Sequence, residues 1–549
     1  MRPPSSLKIP MNNQKISRRQ YLKSAPMGLA SVAALTSLDT KKTPAKSAEA
    51  SGGISLNEDN SHYFFTRAGK KLAAETVASF VDQYAKTQVR ELMLSANSMR
   101  TSFASKVWDP IWKGYDPNGA DDQPLLASTP AAARKGARGW VHTAWQLDQD
   151  GIDVYKIWIE RTRKHGISPW ISMRMNDVHN VDDEQSYMHS DFWRQHPEYR
   201  RVSYHLERSA ARSFDYGHKE VRDYHFKLVR EYAERYDFDG LELDWMRFGY
   251  HFKPGNEQAG LAILTDFTAE VRNLLNFWEK KRGHKIRLGA RVPSRPQTAL
   301  TLGYDAVTWA QRKLIDFLVV TPFWATIEPD MPIELWKEML RGTSVTLAAG
   351  LELLLRPYPD AKPVQYNSLE TVRGAAASLL DRGADRIYLF NYMDSQTGMD
   401  DLYNYPTLLR EVGKAETLNG KPRRHILTYA DTWAPGEASA IPLPKDCQAG
   451  RWYGFRLPTG PKPISGNVYG LIGIEGLSEA EVLKSEVRVN GEICKLIGSA
   501  ELPKPKPDTP LFKFAIPLAL MNRGDNVIEF SSKQNCQIVW VEIAMESSV

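Results

Sequence analysis

From about residue 76 onward, short apolar runs alternate with longer segments whose apolar positions recur at helical spacing. The runs occupy 91–96, 168–173, 240–246, 286–290, 317–321, 345–349, 387–390 and 425–429. Between them, 218–236 sets Val221, Tyr224, Leu228, Val229 and Tyr232 on one helical face, and 368–381 does so with Leu369, Val372, Leu379 and Leu380. Strands alternating with helices predict a parallel α/β architecture, and eight such units predict a closed (β/α)8 TIM barrel. No glycine-rich phosphate turn follows the first run, which argues against an open, doubly wound sheet.

The spacing between elements is uneven. About fifty residues follow the first run (97–149) and about forty follow the second, both on the face where such barrels build their sites. These loops carry Trp108, Trp112, Tyr115, Asp177, His179, Tyr187 and Trp193. After residue 431 the pattern changes to short alternating runs at 467–475, 486–489, 511–516, 526–530 and 537–544, separated by Pro/Gly turns. That pattern predicts a smaller all-β, jelly-roll-like sandwich over 432–549, a carbohydrate-binding module by expectation. The barrel is expected over 76–431, behind a linker at 51–75.

Charge then changes the picture of the N-terminus. The 549-residue chain has 71 basic and 65 acidic side chains, a net +6. Residues 1–50 hold nine of the basic and two of the acidic groups, so the remainder carries −1. The segment Ser17-Arg18-Arg19-Gln20-Tyr21-Leu22-Lys23, a short apolar stretch and Ala48-Glu49-Ala50 resemble a twin-arginine export signal. The expectation is a periplasmic or secreted protein that meets the twin-arginine export machinery in transit. A balanced body leaves no basic footprint for nucleic acid, and no run of ~18 apolar residues forms a membrane span. No Cys cluster, P-loop or dinucleotide turn implies a cofactor, so none is expected. Cys447, Cys494 and Cys536 allow one disulfide or none.

The chemistry concentrates in Asp237-Phe238-Asp239-Gly240-Leu241-Glu242-Leu243-Asp244-Trp245-Met246-Arg247-Phe248. On a strand, Glu242 and Asp244 share one face and Leu241, Leu243 and Trp245 the other. The apolar set would pack on helices and leave the carboxylates in the barrel mouth, with Arg247 and Arg291 as counter-charges. Two nearby carboxylates are the minimum equipment for glycoside hydrolysis. Their backbone spacing of ~6.6–6.8 Å falls between the retaining and inverting separations, so stereochemistry stays open. Asp244 is expected to work with Glu352 or Glu242; Asp394 and Asp177 are further candidate partners. Substrate contacts are expected from Asn97 and Trp108 in the first loop, and from Arg174, Asn176, Asp177 and His179 after the second run. Arg247, Arg291, Trp324, Asn391, Tyr392 and Asp394 complete the expected wall. Asp177 and His179 lack the spacing of a zinc site, and no metal is expected.

This segment, with Phe214-Asp215-Tyr216-Gly217, His196-Pro197-Glu198 and Gly303-Tyr304-Asp305-Ala306-Val307-Thr308-Trp309, resembles the glycosyl-hydrolase-like barrels of group ten. The resemblance covers roughly residues 76–430. It implies a barrel acting on a poly- or oligosaccharide and carries over Asp239, Asp244 and Arg247. Trp245 stands where that group usually has Tyr, and Glu242 is an addition. Three readings follow: an exported glycoside hydrolase, a non-catalytic carbohydrate-binding protein on a degenerate barrel, and a metal-dependent hydrolase of sugar substituents.

Overall fold

The computed structural model describes residues 52–202, 208–394 and 404–546. The leader expected over residues 1–50 lies outside the described residues. Eight parallel strands close a barrel in chain order. They are β1 (Ile54–Glu58), β2 (Val89–Ser95), β3 (Ser168–Arg174), β4 (Gly240–Asp244), β5 (Arg287–Pro293), β6 (Phe317–Thr321), β7 (Thr346–Glu352) and β8 (Arg386–Phe390), with β8 pairing back onto β1.

Two expectations need correction. The barrel begins at Ile54, not at residue 76, so the segment expected as a linker contains β1. The run at 425–429 is not a barrel strand. With β1 seated between β8 and β2 the barrel has no free edge, and β9 (Arg423–Ile426) pairs antiparallel with the last strand of the sandwich instead. The carboxylate-bearing strand is therefore the fourth strand of the barrel, not the third.

Alternate residues of each strand face the axis. Met93, Trp170, Phe317, Val319, Ala348, Tyr388 and Phe390 form one apolar cluster. Leu241, Leu243 and Trp245 join the separate, larger core that includes the helices. Glu242 and Asp244 thus face inward, as the alternation predicts. Gly240 opens β4 because a Cβ there would lie 2.3 Å from the Trp170 indole, a contact no side chain tolerates. Helix α1 (Lys219–Arg235) leads into β4 and buries Val221, Leu228, Val229 and Tyr232.

The C-terminal part is all β. One sheet runs β9, β18 (Cys536–Met545), β12 (Val468–Glu475), β16 (Leu511–Ala515) and β15 (Leu496–Ala500), with β10 (Lys445–Cys447) also on β18. The other runs β11 (Trp452–Gly460), β17 (Gly524–Ser531), β13 (Glu486–Val489) and β14 (Glu492–Cys494). Barrel and sandwich form one compact unit. Helix α2 (Leu369–Asp381) meets β9 so closely that a Cβ on Gly374 would lie 2.1 Å from the Arg424 carbonyl oxygen. Arg424 in turn makes a buried two-pronged pair with Glu542, at 2.6 and 2.9 Å. The three cysteines are buried free thiols, and Cys447 and Cys536 sit opposite one another across β10 and β18.

Candidate active site

Strand ends build the site from the inside out. Asp244, the last residue of β4, accepts from Arg291 Nη1 with both oxygens, at 3.1 and 3.2 Å. The backbone N–H groups of Met246 and Arg247 also donate to Oδ1, at 3.0 and 3.1 Å. Arg291 comes from the register-matched position of β5, and Arg174 from that of β3. Asp244 is only 1% exposed and Arg291 fully buried, so the pair is shielded from water.

Glu242 lies one layer deeper. Ser172 Oγ and Tyr388 Oη donate to its Oε1 at 2.7 and 2.9 Å, and Asn57 Nδ2 donates to that tyrosine at 3.0 Å. Glu352 ends β7, and its Oε1 accepts from Asn391 Nδ2 at 2.9 Å. Oε2 of each glutamate meets no partner among the described residues. Burial, reinforced by the negative charge of Asp244, raises Glu242 to about 7. Burial alone raises Glu352 to about 8, against the opposing pull of Asn391 and Arg291.

Above the acids, Arg247 and His179 stand side by side, Nη2 to Nε2 at 3.2 Å. A guanidinium only donates, so Nε2 accepts and Nδ1 donates to Asp177 at 2.7 Å. Two cavities flank this pair and both touch it. One, of about 400 Å³, is lined by Phe248, Tyr250, Phe323 and the exposed Trp324. The other, of about 330 Å³, is lined by Asp59, Trp140, Arg174 and Tyr187. Phe248 adopts a left-handed φ of 64°, as does Asn391 at 62°. Such backbone is costly for a bulky side chain and clusters at functional sites.

Most expected residues converge here, in different roles. Arg174 pairs with Asp59 and Asp177, so its charge is internally met. Asn97 spends its amide on the Arg174 backbone at the end of β3, and Asn176 on the Phe214 backbone, so each ties a loop to its neighbour. Tyr392 donates to the Glu352 carbonyl at 3.1 Å. Asp394 pairs with Arg67 and lies 3.9 Å from His62, off to the β1 side. Trp108 stacks on Tyr224 of α1 at 4.5 Å and is buried, its indole N–H donating to the Tyr224 carbonyl at 3.0 Å. Asp239 sits at the other end of β4, 2.7 Å from Arg163, where barrels keep stabilising contacts. Asn57, Asp59, Ser172 and Tyr388 were not anticipated. The first two ride on the unrecognised β1, whose Ser55-Leu56-Asn57 alternation was the available signal. Among the described residues no group of three or more His, Cys, Asp or Glu side chains is arranged to hold a metal, and no helix is long and apolar enough to cross a membrane.

No family model matches the chain, and no curated protein matches it in sequence. Solved structures that resemble it are distant in sequence. A cycloisomaltooligosaccharide glucanotransferase of Paenibacillus sp. is 9% identical, TM-score 0.30, over 89% of this chain and 57% of that one. An alpha-L-fucosidase of Paenibacillus thiaminolyticus is 12% identical, TM-score 0.39, over 66% and 48%. A family 18 chitinase of Chromobacterium violaceum is 9% identical, TM-score 0.34, over 89% and 90%. The chain thus spans about half the length of the first two.

Proposed function

We propose that this protein is an exported glycoside hydrolase, similar to the glycosyl-hydrolase-like barrels of group ten, acting on a poly- or oligosaccharide with Asp244 and Glu352 as its working carboxylates. The observation that carries this reading is the contrast between them. Glu352 is buried, has one oxygen without a donor and keeps its proton to about pH 8, as an acid that protonates a leaving oxygen must. Asp244 is purely an acceptor, aimed by Arg291 and two backbone N–H groups, as suits a carboxylate that attacks the sugar or activates water. Glu242, at about 7, holds a second proton behind Asp244 and limits the build-up of charge in the barrel. The cavities beside Arg247 and His179 supply aromatic walls of the kind that stack on sugar rings.

The test is Asp244→Asn and Glu352→Gln in the full chain, assayed on an oligosaccharide panel with anomer-resolved product analysis. Each should stay folded and lose about 10²–10⁴-fold in kcat. Near-wild-type turnover of either variant would remove that residue's role. Glycan binding with no product from the wild type under any condition would establish the non-catalytic reading instead.

A further inference from the structure

Three arginines crowd the barrel mouth, and their partners separate them. Arg291 is committed to Asp244. Arg174 is committed to two carboxylates, Asp59 and Asp177. Arg247 has no carboxylate within ion-pair distance among the described residues; its one side-chain hydrogen bond goes to His179 Nε2. Its Nε is buried without a partner, although the residue is only 9% exposed. The guanidinium carbon lies 5.4 Å from the Phe390 ring centroid and 5.9 Å from that of Phe248, so its apolar surroundings add no acceptor. Burial and the neighbouring Arg174 lower it to about 10, against the opposing pull of Asp177, Asp59 and Asp244, none of which reaches it as an ion pair.

A buried Nε without a partner is costly, and no carboxylate among the described residues bonds the Nη groups. The guanidinium is also placed where a ligand arrives, since Arg247 lines both cavities. The planar fork matches a carboxylate or sulfate in two-pronged fashion, which lysine cannot reproduce. Asp177, on the loop after β3, bonds His179 through Oδ1 and Arg174 through Oδ2, and attracts Arg247 without a hydrogen bond to it.

We infer that Arg247 is the recognition residue for an anionic substituent, so that the substrate is an acidic glycan carrying a carboxylate or sulfate. This deepens the hydrolase reading and rests on it for the word substrate, though the anion site itself does not depend on turnover.

The experiment measures binding rather than cleavage. The full-length wild type, Arg247→Met and Arg247→Lys are titrated with D-glucuronate, D-galacturonate, glucose 6-sulfate and D-glucose, following ligand signals by NMR. The wild type should bind at least one anionic sugar about tenfold more tightly than glucose, the order of one charge-assisted pair. Arg247→Met should erase that preference, with an unchanged circular-dichroism spectrum and cooperative melt as the control for folding. Arg247→Lys should restore only part of it. Comparing the uronates with the sulfate tells which anion the fork takes. Equal binding of charged and neutral sugars, no detectable binding of any anionic sugar, or a preference that survives Arg247→Met would overturn the inference. Cleavage of neutral glycans without that preference would sink the anion site and leave the hydrolase intact; anion binding without any cleavage would do the reverse.

Discussion

Arg291 joins Asp244 by an Nη1 that reaches both carboxylate oxygens, while its guanidinium carbon lies 3.7 Å from the centroid of the Phe390 ring. The ring belongs to β8 and pairs in register with Glu352 on β7. One cation therefore links the two proposed working acids through an apolar face, and it is the most consequential single side chain in the barrel mouth. Replacing it by Met would leave Asp244 buried without its hydrogen-bonded cation. A stability loss of about 3–5 kcal/mol in chemical denaturation is expected, with turnover lost as well. Arg291→Lys should recover only part, because an ammonium cannot lie flat on Phe390 as the guanidinium plane does.

The buried glutamates make stability depend on pH in a definite direction. Folding raises Glu352 from 4.5 to about 8, and raises Glu242 and Glu328 from 4.5 to about 7. The unfolded chain releases these protons near the ordinary value while the folded one keeps them. Their contribution is complete below about pH 4.5 and falls as pH rises toward 7–8, by about 1.4 kcal/mol per pH unit for each group. Thermal melts should show declining stability across that window. Glu352→Gln, which cannot ionise, should flatten the decline and extend it least above pH 7; an unchanged slope would contradict the burial argument.

Loop geometry near Trp324 depends on Asp431. Its two oxygens accept the backbone N–H groups of Phe323, Trp324 and Ala325, at 2.7–2.8 Å. Asp431→Ala should release this loop, costing about 1–3 kcal/mol from the unsatisfied donors and raising KM more than it lowers kcat.

Gly240→Ala tests the barrel floor. The added methyl would meet Trp170 at 2.3 Å, and overpacking of this kind costs about 1–3 kcal/mol or more. A melt close to the wild-type one would mean that the indole has room to turn.

What could be read in advance follows physical lines. The alternation at Glu242 and Asp244 was legible because a strand has only two faces and the intervening Leu241 and Leu243 had to take the core. Seven of the eight barrel strands showed as apolar runs. β1 did not, since its inward Ser55 and Asn57 make hydrogen bonds rather than apolar contacts, and Gly52-Gly53 ahead of it reads as linker. The stack of Trp108 on Tyr224 was not legible, because a loop aromatic is as well suited to a helix surface as to a sugar. That Arg247 alone of the three arginines lacks an acid was beyond reach, because pairing across strand ends depends on register and not on spacing along the chain.

The Asp431 contacts carry one more consequence. Asp431 lies in the segment that follows β9, past the last strand of the barrel and already on the path into the sandwich. The unit that shapes this cavity is thus longer than the barrel, and a chain trimmed at the end of the eight-stranded scaffold would keep every proposed acid yet lose the clasp on the Phe323–Ala325 loop. Swapping the sandwich for an unrelated module would meet the same obstacle, which makes the two halves a single part for the protein engineer.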